Sequence, residues 1–359
     1  MIAWDRVLPV LAELGADAMI VRDIANIRYL TGYTNDTGVL VLTKDSYAGL
    51  ITDFRFLLQA KEEAKGCDVL DVAGSSYSEQ INRILAEHGA GKAAFERDIT
   101  TYHEFEAMRE RCGAELLPVD NVLVELRKIK TADEVAKLRQ AEHIGDIAFS
   151  KIVNDLRPGA TELEIAAKLT YYMCLEGASG NSFPPIVASG ENSAMPHAMP
   201  SARALREGDF VTLDFGCVYE GYCSDMTRTV VIGQADTEQR KVYETVLRAQ
   251  KAVLEQIRGG MKGKEIDGIA RTIINEAGYE GKFGHGLGHS VGLEIHEPPY
   301  SNARSEEIVR AGSMMTVEPG IYIEGFGGVR IEDLVLVTED GCENLAESPK
   351  ELIEIPIGK

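Results

Sequence analysis

The order of apolar and polar positions divides the chain into two textures. Over the first third, short segments alternate between helical and strand spacing. Residues 2–14 carry apolar side chains at helical intervals and stop at Gly15. Asp17–Val21 then reads as a strand, and Gly38–Thr43 and Tyr47–Ile51 are β-rich runs joined by Lys44-Asp45-Ser46, a hairpin signal. A helix near 54–65, a strand near 68–72, a helix near 78–88, a strand at 93–95 and a helix near 102–111 follow. That alternation predicts an α/β domain ending near Pro118–Val124.

From Arg127 the segments lengthen. Residues 131–156 form a long helical pattern closed by Arg157-Pro158-Gly159, and 161–176 form another closed by Gly177. Residues 177–201, rich in Gly, Ser and Pro, show little periodicity and read as loop. Val211–Phe215 and Met226–Ile232 read as strands either side of a turn. Helices near 237–258 and 264–277 follow, and strand pairs including Met314–Glu318 and Val329–Val337 close the chain. No repeat of fixed short period and no low-complexity segment breaks this order.

The length of 359 residues agrees with two domains at roughly 150 residues each. Against 37 Lys and Arg stand 57 Asp and Glu, a net charge of −20 spread along the chain, which disfavours a nucleic-acid or anionic-membrane partner. No apolar run approaches the ~20 residues of a membrane span. Met1-Ile2-Ala3-Trp4-Asp5-Arg6 lacks a charged leader followed by an apolar core, so no signal peptide is expected. The six cysteines (Cys67, Cys112, Cys174, Cys217, Cys223 and Cys342) are scattered without a CxxC pair. A disulfide framework or thiolate zinc site is therefore not expected, and a reducing cytoplasm is.

The informative residues are carboxylates inside apolar strands. Asp214 sits in Val211-Thr212-Leu213-Asp214-Phe215-Gly216, and Asp225 heads Met226-Thr227-Arg228-Thr229-Val230-Val231. A hairpin turning at 219–220 sets these two acids nearly opposite each other. Thr316-Val317-Glu318-Pro319-Gly320 and Val329-Arg330-Ile331-Glu332-Asp333 flank a glycine-rich turn, and reflection about Gly325 superposes Glu318 on Glu332. Like charges facing each other in a sheet repel, and burying them costs several kcal/mol each unless they are neutralised. The remedies are a shared proton, a basic partner or a metal, and four acids together favour metal. Oxygen-rich ligation suits Mn²⁺-like ions, and two divalent ions balance the four negative charges. A solvated strand-end role explains any one of these acids but not two mirrored pairs.

Three of the seven histidines, His285, His289 and His296, fall in the glycine-rich stretch Gly284–Pro299, and His197 lies in the long loop. Imidazole is the commonest nitrogen ligand and a ready proton shuttle near neutral pH. His88, His103 and His143 read as surface helix residues. The glycines at 284, 286, 288 and 292 do not make GxGxxG, Gly91-Lys92 is followed by Ala93 rather than Ser or Thr, and GxSxG is absent. Cys217 and Cys223 lie near the acids but read as small core residues.

An Asp, a second Asp eleven residues on, a His, then Glu-Pro-Gly and Arg-Ile-Glu resembles the pita-bread metallopeptidases, the family of aminopeptidase P, prolidase and methionine aminopeptidase, with creatinase as a metal-free relative. The likeness covers nearly the whole chain. Asn26-Ile27-Arg28-Tyr29-Leu30-Thr31-Gly32 and Asp53-Phe54-Arg55-Phe56 look like the creatinase-type N-terminal domain, and Leu126-Arg127-Lys128-Ile129-Lys130-Thr131 like the start of the catalytic domain. The resemblance implies an α/β N-terminal domain of creatinase type over 1–125 and an α+β pita-bread catalytic domain over 126–359. It makes Asp214, Asp225, His289, Glu318 and Glu332 the ligands of two divalent ions, most simply Mn²⁺, with Co²⁺, Zn²⁺ or Fe²⁺ compatible. Asp225 and Glu332 would bridge, Asp214 would complete one ion, and His289 and Glu318 the other. His289, rather than His285, stands seven residues before a second histidine, as the family ligand does.

By the same resemblance Glu318 is the general base, His197, His296 and His285 are catalytic or substrate-contacting, and Tyr322, Arg330 and Phe183 line the substrate site, Phe183 in the proline pocket. The implied activity is hydrolysis of the N-terminal Xaa-Pro bond of small peptides, with no nucleic-acid or membrane partner, by a homodimer joined through its N-terminal domains. Aminopeptidase P is the expected type and Xaa-Pro dipeptidase (prolidase) the alternative. Several prolidases carry an Arg after the His-Glu motif to hold a carboxylate, whereas His296-Glu297-Pro298-Pro299 is followed by Tyr300, with Arg304 four further on. Methionine aminopeptidase usually lacks the N-terminal domain, creatinase has lost the metal carboxylates, and a catalytically dead peptide-binding relative would not keep all five ligands.

Overall fold

The computed structural model describes residues 2–357; Met1, where the leader reading began, and Gly358 and Lys359 lie outside the described residues. The chain forms two compact units, Met1–Arg127 and Lys128–Lys359, two residues beyond the expected division.

In the first unit, α1 (Trp4–Leu14) buries Val7 and Leu11 and ends on Gly15 at φ 62°. There follow β1 (Ala18–Val21), α2 (Ile24–Thr31), β2 (Val39–Thr43), β3 (Ala48–Thr52), α3 (Leu57–Glu63), β4 (Asp68–Asp71), α4 (Tyr77–Glu87), β5 (Lys92–Glu96), α5 (Tyr102–Arg111), β6 (Glu115–Val119) and the short α6 (Val124–Arg127). The strands make one mixed sheet in the order β4-β3-β2-β1-β5-β6. Met19 and Val21 feed one core and Ala18 and Ile20 another, so the central strands are buried on both faces and read as continuous apolar runs. Two elements are additions to the sequence reading. Asp23 caps α2 by accepting from the Ala25 N–H, and β6 occupies the stretch expected to end the domain.

In the second unit, α7 (Ala132–Ile152) starts with a reciprocal cap between Thr131 and Glu134, and α8 (Glu162–Leu175) packs beside it. The segment read as loop instead contains β7 (Gly180–Asn181) and β8 (Ile186–Ser189). Four buried residues are too short a run for periodicity to reveal, but Ile186-Val187 has the apolar character of a sheet interior. Next come β9 (Phe210–Phe215), β10 (Cys217–Tyr219), β11 (Tyr222–Cys223), β12 (Met226–Ile232), α9 (Thr237–Leu254), α10 (Gly263–Ile274), β13 (Gly288–Ser290), β14 (Glu297–Ser301), β15 (Met314–Val317), β16 (Gly320–Ile323), β17 (Gly327–Arg330), β18 (Asp333–Val337), β19 (Cys342–Asn344) and β20 (Ile353–Ile355). A four-stranded sheet runs β20-β12-β9-β8, and a three-stranded one β15-β18-β19. Val211, Leu213 and Phe215 of β9 pack in the core formed with α7 and α8. The alternation of the pleat turns Thr212 and Asp214 the other way.

Candidate metal centre

The turn between β10 and β11 is Glu220-Gly221, at φ 46° and 85°, with Tyr219 pairing Tyr222. This corrects the expected 219–220 turn. A two-residue hairpin of type I′ needs positive φ at both positions, and glycine at 221 meets that need more readily than Tyr219 would. The register therefore pairs Asp214 with Thr227, and Asp225 sits diagonally from Asp214 on the same face rather than opposite it. At the second hairpin the ladder opens at the acids. Val317 pairs Asp333 on one side and Gly320 pairs Arg330 on the other, and both pairs reflect about Gly325. Glu318 and Glu332 face each other in that opening.

The hairpins and β13 bring the five residues together. Ligand atoms of Asp225, His289 and Glu332 lie within 4.8 Å of one another. His289 Nε2 is 3.6 Å from Asp225 Oδ2 and 3.6 Å from Glu318 Oε1. That is too long for hydrogen bonds and close to the ~3–3.5 Å between neighbouring ligand atoms around an ion with ~2.1 Å bonds. His289 Nδ1 donates to the Ser290 carbonyl at 3.0 Å, which leaves the Nε2 lone pair turned to the acids. Arg330 grips Asp214 Oδ2, while Asp214 Oδ1 is buried without a protein partner. Thr227 Oγ1 donates to Glu332 Oε2 at 2.6 Å and accepts from Arg330 Nε at 3.0 Å.

The electrostatics carry the same message. Burial and the neighbouring Glu332 push the Asp225 carboxyl well above its usual range. Burial and Glu332 do the same to Glu318, and burial with Asp214 raises Glu332 to about 8. Burial lowers His289 and His285 to about 4, so both rings are neutral and able to ligate or accept. An orphaned acceptor on Asp214, acids that resist ionisation and a neutral imidazole form a donor set that divalent cations fit.

The cluster floors a cavity of about 460 Å³, ordinary for a small-molecule site. Phe183, His197, His285, His296 and Arg330 line it, together with the apolar Pro184, Ile186, Pro196, Met199 and Ile295. The His289 and His296 rings meet edge to face with centroids 4.5 Å apart. Tyr322, expected on the wall, is not among the lining residues. Its hydroxyl is 2.9 Å from His285 Nε2 and accepts from Arg330 Nη1 at 2.7 Å, so it acts on the cavity through those two. Arg304 is exposed and also absent from the wall, whereas Tyr300 lines it.

Sequence reading missed Thr227 and Thr316. Thr316 Oγ1 accepts from the His289 N–H at 3.0 Å and reaches toward Glu318 Oε1 at 3.4 Å. The signal was present in the spacing. Asp225-x-Thr227 and Thr316-x-Glu318 put a hydroxyl on the face of each acid. The glycines around His289 also gain a reason, since a Cβ on Gly288 would stand 2.1 Å from the Thr316 carbonyl.

Residues 136–339 match the model of metallopeptidase family M24, and residues 4–129 match the creatinase/prolidase N-terminal domain. The chain belongs to metallopeptidase family M24. It is similar to the Xaa-Pro dipeptidase of Pyrococcus furiosus, 37% identical over 350 residues that cover 97% of this chain and 99% of that one. Among solved structures it is similar to an Xaa-Pro dipeptidase from Bacillus anthracis, at 41% identity and a TM-score of 0.95 over 98% of both chains. An X-Pro aminopeptidase from Thermotoga maritima is also similar, at 35% identity and a TM-score of 0.91 over 98% of this chain and 99% of that one. The fold is that of the M24 peptidases, a creatinase-type domain followed by a pita-bread catalytic domain, and the protein is a hydrolase.

Proposed function

We propose that this M24 metallopeptidase is an Xaa-Pro dipeptidase working with two divalent ions, Mn²⁺ by preference. The observation that carries it is the union of an acidic, histidine-bearing floor with an apolar wall, in a chain aligned end to end with relatives named Xaa-Pro dipeptidases. The aminopeptidase P reading favoured on the absence of an Arg after His296-Glu297 gives way here. Those relatives outweigh one missing side chain, although the Thermotoga likeness keeps the longer-peptide activity as the reading to test against.

In this proposal Asp214, Asp225, His289, Glu318 and Glu332 hold the ions. When bound, the ions would neutralise the acids and supply hydroxide at neutral pH. Glu318 would take the proton from the attacking water and pass it on, because burial and the neighbouring Glu332 raise its proton affinity well above that of an ordinary carboxylate. His197 and His296, on the cavity wall, would donate to the developing oxyanion. Asp214 Oδ1, the buried acceptor without a partner, would receive the substrate's free ammonium, which explains action at an N-terminus. Phe183, Ile186 and Ile295 would pack the proline ring. Proline nitrogen carries no N–H, so the leaving amine needs a proton delivered rather than a hydrogen bond accepted.

The test is mass spectrometry of products from Mn²⁺-loaded protein given equimolar Ala-Pro and Ala-Pro-Ala. Cleavage of Ala-Pro with the tripeptide left intact is expected. Release of Pro-Ala from the tripeptide overturns the dipeptidase reading in favour of aminopeptidase P. Joining through the N-terminal domains as a homodimer belongs to the same proposal, and light scattering at the mass of one chain would remove it.

A further inference from the structure

His197 stands in the segment between β8 and β9, so its position over the cavity depends on how that segment is held. Both ends of it converge on one carboxylate that lines no part of the cavity. Glu162, at the start of α8, is 0% exposed. Its Oε1 accepts from the Ser189 N–H at 2.8 Å and the Ser189 hydroxyl at 2.7 Å. Its Oε2 accepts from the Ser201 N–H at 3.0 Å and the Ser201 hydroxyl at 2.6 Å. Asn192 Nδ2 spans the two oxygens at 3.1 and 3.3 Å. Ser189 and Ser201 thus bracket the loop carrying Pro196, His197 and Met199, and Glu162 ties them together.

The far side of the loop is held from the metal centre. Arg330 Nη1 donates to the Pro196 carbonyl at 3.3 Å, one residue before His197, and the same guanidinium grips Asp214. Ser193 Oγ accepts from the Gly328 N–H at 2.8 Å. His197 lines the same cavity as His285 and His296. We infer that Glu162 is a positioning residue for the hydrolysis, fixing His197 over the cavity by closing the base of its loop. Only an ionised carboxylate offers acceptor pairs on two oxygens to donors from both ends. The serine bonds hold Glu162 below the ordinary carboxylate range in spite of its burial, so it is ionised at neutral pH. Glutamine would turn an NH₂ group against one pair of donors and release that end of the loop.

This inference rests on the proposed role of His197, and the test separates the two. Glu162→Gln, His197→Ala and the double variant are compared on Ala-Pro with Mn²⁺ content and thermal midpoint measured alongside. A displacement of about 1 Å can cost roughly 100-fold in rate. Glu162→Gln is therefore expected to lower kcat/KM by about 10- to 100-fold with metal content unchanged, and the double variant to fall within about twofold of His197→Ala alone. Losses that multiply overturn the inference and leave Glu162 a support of the fold. An unimpaired His197→Ala enzyme overturns the role of His197 and the inference with it. Should Glu162→Gln melt below the assay temperature, Glu162→Asp, which keeps the charge but reaches only one end of the loop, takes its place in the same cycle, read the same way.

Discussion

Removing the metal should make the catalytic unit lose stability as pH rises, and the window in which this appears follows from the site. Without ions, burial and mutual repulsion raise Asp225, Glu318 and Glu332, the last to about 8. In the unfolded chain such acids ionise near their ordinary values of about 4. A raised group stabilises the fold fully below its unfolded pKa, and that contribution is lost as pH climbs through the folded value. The histidines act in the opposite sense. His285 and His289 are held near 4, so their contribution is complete above about 6.5 and fades only below it. Between pH 6.5 and 8 the acids therefore act without opposition from the histidines.

Across that window Glu332 alone spans about 1.5 pH units. At about 1.4 kcal/mol per unit this is roughly 2 kcal/mol, with Asp225 and Glu318 pulling in the same direction. For a unit of this size the thermal midpoint should fall by about 4–8 °C. Differential scanning calorimetry of chelator-treated protein at pH 6.5, 7.2 and 8.0 measures it. Saturating Mn²⁺ should abolish the fall, because the ions favour the ionised acids. A metal-free protein whose midpoint stays level or rises over this window would refute the reasoning, since the acids would then ionise in the fold as freely as in water.

Asp225→Asn should strip the protein of bound metal, measured by inductively coupled plasma mass spectrometry; retention of two tightly bound ions would remove Asp225 from the ligand set. Lys130→Met should cost about 3–5 kcal/mol in urea unfolding, because it leaves Glu297 buried without the ammonium 3.0 Å away, both side chains being 1% exposed. An unchanged unfolding midpoint would show that pair to be dispensable. Gly288→Ala should destabilise by about 1–3 kcal/mol and weaken metal binding, because its methyl group meets the Thr316 carbonyl beside His289. A variant with wild-type melting and metal content would contradict that close approach.

Much of the site was legible because its chemistry violates the local pattern. An acid inside Val211–Phe215 demands an explanation that a surface acid does not, and the mirror symmetry about Gly325 located Glu318 opposite Glu332 from spacing alone. The first hairpin turns one residue later than facing acids would require, because Gly221 is where the backbone can take a positive φ. The strand Ile186–Ser189 was missed because four residues carry no measurable period and the surrounding Gly, Ser and Pro masked it. Thr227 and Thr316 do not stand out in the sequence because hydroxyls are ordinary in strands, and only their register with the acids marks them. The resemblance implies a wall position for Tyr322, while the geometry sets it behind His285 and Arg330.

The proposed dimetal centre is tested most directly by a crystal of Mn²⁺-loaded protein measured at the manganese absorption edge. Two anomalous peaks about 3.5–4 Å apart, touching Asp214, Asp225, His289, Glu318 and Glu332, are the predicted result. A single peak, or peaks away from these five side chains, would contradict it.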